Sequence, residues 1–193
     1  MHHIQGSRSE ESPSLQHLHR LVWSGLLAAL MAVGAYIHFP LGPVPVSLQV
    51  SFVLLAGFVL GPLWGFASVA LYVLAGMIGL PVFSGGTSGI GHVLGPTGGY
   101  LLGFLAAPLL TGLWFRLSPG VGPPWGVGAL LAVLGYIPIY GLGLWGLKAA
   151  LDMTWGKVVW VGMLPFLPSD VLQVAVSVAV ARYLHRQHLV PRP

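Results

Sequence analysis

The sequence predicts an all-α integral membrane protein with six transmembrane helices, and three observations carry that prediction. Of its 193 residues, 55% are hydrophobic and only 6% are charged, against about 25% charged in soluble domains. Mean hydropathy is +0.85. No Asp, Glu, Lys or Arg occurs between Arg20 and Arg116, an interval that holds several spans of roughly 20 apolar residues each. A soluble chain of this composition would expose apolar patches large enough to aggregate. Hydrocarbon as the facing solvent removes that difficulty.

The first helix is expected over 21–39, stopped by the breaker cluster Pro40-Leu41-Gly42-Pro43. A second, shorter one runs from about Val46 to Gly61-Pro62, where a tight turn leads into a third that continues to about Leu80. After a Gly-rich stretch, 84–99, come a fourth helix over 99–115 and a fifth over 127–147. Residues 158–184 are too long for one straight span and hold Pro165 and Pro168. The sixth helix is therefore placed from Ser169-Asp170, with 158–167 as an apolar approach segment. The chain divides into a polar tail (1–20), one membrane domain (21–184) and a basic tail (185–193). Met1 to Arg8 reads as part of an expression leader, and Leu189 to Arg192 resembles a protease-site remnant. The polar run 8–20 is a frayed tail or short surface helix. Leu21 opens a full-length span with no cleavage motif behind it.

Basic residues orient the helices. With both termini cytoplasmic, Arg8, Arg20, Arg116, Arg182, Arg186 and Arg192 all fall inside, while Lys148, Asp152 and Lys157 fall outside. The irregular segments 40–49, 80–99 and 148–170 then share the outer face. Broken backbone at membrane depth is tolerated only when buried in protein or lining a cavity, so this face is where a small-molecule site belongs.

Some chemistries are excluded. The net charge of +4 is scattered over segment ends, with no basic stripe interleaved with aromatics, so nucleic acid is not a partner. Cysteine is absent, which removes disulfides, thiolate metal sites and Cys nucleophiles. No metal site and no cofactor are expected.

A few polar residues stand out. Asp170 is either a helix cap, since Ser169-Asp170 directly precedes an apolar run, or a ligand-binding acid. Gln173 lies three residues on, on the same face. Gln49, in the first turn of the second helix, can donate and accept at once; it is a site residue or an interfacial polar group. The run Gly85 to His92 is no P-loop, because no strand precedes it and no Lys-Ser/Thr follows. Within it, Gly86-Thr87-Ser88-Gly89 matches the short GxSG pattern of rhomboid proteases. That chemistry needs a His on another helix to activate Ser88, and only His38 and His92 are near, neither on a later helix. Gly95 to Tyr100 forms a turn in which Thr97 is a natural N-cap. Tyr100 adds an aromatic face and a hydroxyl.

Taken in order, four segments resemble the BioY family, the biotin-specific substrate-binding (S) components of energy-coupling-factor transporters. They are Pro43 to Gln49, Gly79 to Phe83 with the Gly-rich run behind it, Gly95 to Tyr100, and Pro165 to Asp170. The resemblance covers 21–184. It implies biotin capture in an outward-facing pocket of a prokaryotic cell (inner) membrane protein, with Gln49, Phe83, Gly86, His92, Thr97, Tyr100, Asp170 and Gln173 as ligand-binding residues. In it Gln49 and Asp170 address the ureido group, and Phe83 and Tyr100 pack on the ring. It also implies a transmembrane coupling protein and cytosolic ATPases as partners, since no Walker-type sequence is present here. Docking would use Ala28 and Ala32, small residues four apart on the first helix. One departure stands out: relatives usually carry Lys three residues after the acid, where this chain has Gln173. That leaves the ligand carboxylate without its usual cation. The alternatives are an S component for another vitamin, a solitary biotin facilitator and, remotely, a hydrolase using Ser88.

Overall fold

The computed structural model describes residues 13–39, 43–118 and 120–191. Met1 to Arg8, Pro40 to Gly42 and Arg192 lie outside them. Helix α1 (Pro13–Tyr36) starts earlier than expected, so the polar run from Pro13 to Arg20 is its first two turns. Pro is tolerated there because the first-turn N–H groups have no intrahelical acceptor. The helix also ends earlier, at Tyr36. His38–Phe39 (β1) instead pairs antiparallel with Val46–Ser47 (β2), His38 opposite Ser47.

Helix α2 (Gln49–Met77) follows, interrupted at Gly61, whose φ of 77° and ψ of −177° are not helical. A Cβ on Gly65 would lie 3.0 Å from Gly57 Cα, whereas eight residues of straight helix span about 12 Å. The two arms, 49–60 and 62–77, therefore run antiparallel, with the tight turn at Gly61-Pro62 where the breaker signal put it. Val53, Leu54, Phe58 and Val59 are fully buried. A helix apolar all round belongs at the centre, and α2 touches α1, α4 and α8.

The rest completes the bundle: α3 (Ile90–Val93), α4 (Gly98–Thr111), α5 (Leu113–Leu117), α6 (Trp125–Leu151), α7 (Trp155–Gly162) and α8 (Leu167–Arg186). The predicted fourth helix is broken at Gly112, which passes so near the α2 turn that a Cβ would sit 2.4 Å from Pro62 N. The approach segment proves to be α7 and a single 3-10 turn, Leu164–Phe166. Among the described residues, five helical stretches are long and apolar enough to cross a membrane, with α2 counted whole and α7 joined to α8. Outward side chains such as Leu21, Ile137, Trp160 and Val171 are apolar and exposed, as a hydrocarbon solvent requires.

Helices α4 and α6 pack on glycine. Cβ atoms on Gly99 and Gly103 would lie 2.2 Å from Leu142 O and 2.4 Å from Ile139 Cα. This four-residue spacing lets backbones approach closely. It also sets polarity: α4 begins beside the end of α6, so Thr97, Asp152 and the lysines share one end. Arg20, Arg116 and Arg182 gather at the other, where Arg182 Nη1 donates to Pro123 O (2.8 Å) beside the α5–α6 connection. Replacing Gly103 by Leu should destabilise the protein by about 1–3 kcal/mol through overpacking. Gly141→Ala, where a Cβ meets nothing within 4 Å, should be neutral or mildly stabilising. Thermal unfolding in detergent checks both, and equal melting temperatures for the two variants would refute the close α4–α6 contact.

Candidate ligand-binding site

Two adjoining cavities, or lobes, share a wall, and the first lies beneath the 80–99 loop. The first, ≈ 50 Å³, is lined by Gln49, Tyr72, Phe83, Ser84, His92 and Thr97 among others. The second, ≈ 60 Å³, is lined by Tyr136, Ile139, Tyr140, Phe166, Asp170 and Gln173. Val44, Pro45, Ser47, Tyr100 and Phe104 wall both. Each lobe has room for a few waters. The extended 44–47 segment thus forms the partition, which is why the chain leaves helical geometry before α2.

The second lobe centres on Asp170. Its buried carboxylate accepts a hydrogen bond from the Tyr140 hydroxyl. Tyr136 stacks on Tyr140 with centroids 5.8 Å apart, and its buried hydroxyl faces the Asp170 carboxylate without a hydrogen bond within 3.5 Å. Asp170 is not a helix cap: α8 begins three residues earlier at Leu167, and Ser169 Oγ donates back to Phe166 O at 2.7 Å. An acid in the first turn still gains from the helix dipole. Gln173 also faces this lobe, but its Oε1 accepts from Ser51 N at 3.1 Å and Ser51 Oγ at 3.4 Å. It therefore ties α8 to the first turn of α2, sharing the Ser51 N–H with Leu48 O at 3.2 Å.

In the first lobe, Gln49 is 3% exposed and its Nε2, near the Tyr72 side chain, makes no hydrogen bond within 3.5 Å. A buried donor left unsatisfied costs about 1–3 kcal/mol. Fully buried Phe83 meets Tyr72 edge-on and stacks on His92, with centroids 4.9 Å apart. Gly76 makes room for it, since a Cβ there would lie 2.1 Å from Phe83 Cζ. Thr87 Oγ1 donates to Ser84 O (3.0 Å), so it accepts from His92 Nδ1 (3.1 Å), leaving Nε2 to accept from Thr97 Oγ1 (3.0 Å). Thr97 thus holds His92 and makes no side-chain cap to α4. The Tyr100 hydroxyl donates to Gly162 O at 2.7 Å, fixing this ring between α4 and α7.

Two expectations change. Gly86 does not line the cavity: it lies against Tyr36 of α1, whose hydroxyl bonds Pro81 O, and so belongs to a latch on the loop. Ser88 is exposed, and both ring nitrogens of His92 are engaged by threonines, so no Ser–His pair exists there. On α1, Ala28 is buried in the protein's own core and Ala32 is half-buried, while Ala29 is exposed and a Cβ on Gly25 would meet nothing within 4 Å. The sequence reading missed Tyr72, Phe104, Tyr136 and Tyr140. A usable signal existed for the last two: tyrosines four apart in an apolar span, whose hydroxyls need partners.

Fold and site together define a multi-pass helical membrane protein built around a small-molecule pocket. The chain belongs to the BioY family, which it matches over residues 8–189; BioY proteins are transporter components rather than enzymes. It is 42% identical to a probable biotin transporter BioY of Pyrococcus horikoshii over 82% of this chain and 91% of that one. With the biotin transporter BioY of Thermotoga maritima it shares 39% identity over 88% and 97%. Among solved structures, the S-component for biotin from an ECF-type ABC transporter matches with a TM-score of 0.84 and 28% identity, covering 94% of this chain and 100% of that one.

Burial lowers the His92 pKa from its ordinary 6.5. The closed loop thus binds a proton less readily than the opened one. Its network is at full strength above about 6.5 and is lost as pH falls through the depressed pKa. Hydrogen exchange over 84–97, corrected for intrinsic rates, should show protection falling between pH 7.5 and 5, with a flatter profile in His92→Gln. Identical profiles would remove His92 from the closure of the loop.

Proposed function

We propose that this chain is the biotin-binding S component of a vitamin uptake transporter and that the two-lobed cavity holds biotin. The observation that carries this is the convergence of one buried carboxylate and two buried donors, Tyr136 and Gln49, on two adjoining cavities that share a wall. Biotin offers a ureido group with two donors and one acceptor, an apolar chain and a carboxylate. A ligand carboxylate beside Asp170 would be repelled, so the ureido end takes the Asp170 lobe. There Asp170 accepts a ureido N–H and Tyr136 donates to the ureido oxygen. The chain passes beside Tyr100 and Phe104, which wall both lobes. The carboxylate reaches the Gln49 lobe and accepts the free Nε2–H. This moves Gln49 from the ureido group, where the sequence reading put it, to the opposite end. It also removes the need for a cation at Gln173, which faces the ureido lobe.

In the membrane, the two arms of α2 count as separate crossings, making six. The first arm is about 18 Å long, and the extended 44–48 segment lengthens it. Arg20, Arg116, Arg182 and Arg186 at one end favour cytoplasmic termini, placing the cavity and its loop outside. Import is driven by a transmembrane coupling protein and cytosolic ATPases, docked along the small-residue face of α1 where Gly25, Ala29 and Ala32 leave the helix open.

Asp170→Asn should raise the biotin Kd by about 10–150-fold, the loss of a charged hydrogen bond worth about 1.5–3 kcal/mol. Calorimetry in detergent measures it, and a change within twofold would refute the pocket assignment. For topology, Cys introduced at Gly85 should react with an impermeant thiol reagent from outside, and Cys at Val121 only from the cytoplasm. The reverse pattern would overturn the orientation.

A further inference from the structure

At the end of the bundle opposite the biotin cavity lies a second concavity, ≈ 290 Å³, that the proposed function does not use. It is bounded by Arg20 of α1, Leu60, Pro62, Leu63 and Trp64 around the α2 turn, and Phe115 and Arg116 of α5. Its shape is built by tight packing: a Cβ on Gly61 would lie 2.7 Å from Phe115 Cδ1, and Ser68 Oγ holds α1 to the second arm through Ser24 O at 2.8 Å. Two permanently charged guanidiniums therefore sit at the mouth of an otherwise apolar hollow. Arg116 is exposed, Phe115 is buried beneath it, and Leu63 is 66% exposed toward the surrounding solvent.

We propose that this hollow binds the headgroup of an anionic phospholipid. Guanidinium matches phosphate geometry bidentately, and basic pockets between membrane helices take acidic lipid headgroups. The apolar walls distinguish a lipid from a free anion. Leu63, facing the hydrocarbon, continues the hollow along the path of an acyl chain, and half-buried Trp64 suits the interfacial level of the glycerol backbone. A zwitterionic headgroup would bring its own cation against two arginines, so the lipid selected is one with net negative charge, such as phosphatidylglycerol or cardiolipin.

The test is native mass spectrometry of the full chain released from detergent micelles, with phosphatidylglycerol or phosphatidylcholine of matched chains added. Phosphatidylglycerol should be retained preferentially. The preference should fall about fivefold for each arginine removed in Arg116→Gln and in Arg20→Gln/Arg116→Gln, and persist in Lys148→Gln at the other end. Thermal unfolding of the variants verifies that they remain folded. Equal retention of both lipids, or undiminished selectivity in the folded double variant, would overturn the proposal. So would displacement of phosphatidylglycerol by millimolar inorganic phosphate, which would mark a free-anion site. None of these readouts depends on biotin binding.

Discussion

Hydrocarbon supplies no hydrogen bonds, so each polar side chain carried into the bundle has to be satisfied by the protein itself. The chain meets this constraint almost everywhere. Thr111 Oγ1 donates to Leu54 O, Ser68 to Ser24 O, Ser177 to Val174 O, and Gln173 takes up the N–H of Ser51. Against that background the exceptions carry information. Among the described residues, Gln49 Nε2, Tyr136 Oη and His185 Nδ1 are buried without a partner. The first two face the cavity. His185 sits far along α8, its Nε2 bonded to Phe58 O.

Glycine makes that arrangement possible. With so few polar contacts to hold helices together, association relies on close packing, and Gly99, Gly103 and Gly143 bring α4 and α6 near enough to clamp Tyr100 between them. Gly57 and Gly112 do the same where α2 meets α4. The rigid wall built this way carries Tyr100 and Phe104, the side chains that divide the cavity. The first lobe is closed by the 80–99 loop, held by Phe83, His92, two threonines and the Tyr36 latch. These are fewer and more exposed contacts than those between the helices, and segments so held open locally at low free energy.

The charge distribution separates the two ends of the molecule by task. Asp152, Asp170, Lys148 and Lys157 belong to the cavity end, and the described arginines to the other. Nearly neutral surroundings suit capture of an anionic vitamin by directed hydrogen bonds. A permanently cationic rim suits contact with acidic headgroups.

Composition and local pattern alone determined the membrane character, the turn at Gly61-Pro62 and the short roster of polar residues from which a site could be made. These follow from side-chain chemistry and from backbone preferences a few residues long. The same information left Asp170 open between cap and ligand group, placed Gly86 in the pocket and gave Gln173 to the ligand. Tertiary structure took Asp170 out of the cap position, set Gly86 against Tyr36 and bonded Gln173, which still lines the cavity, to Ser51. The contacts that did so join residues far apart in sequence: Tyr140 with Asp170, Ser51 with Gln173, Tyr36 with the backbone at Pro81. Whether a polar atom is spent on the protein or left for a ligand depends on what else reaches it in space, and no local pattern encodes that distance.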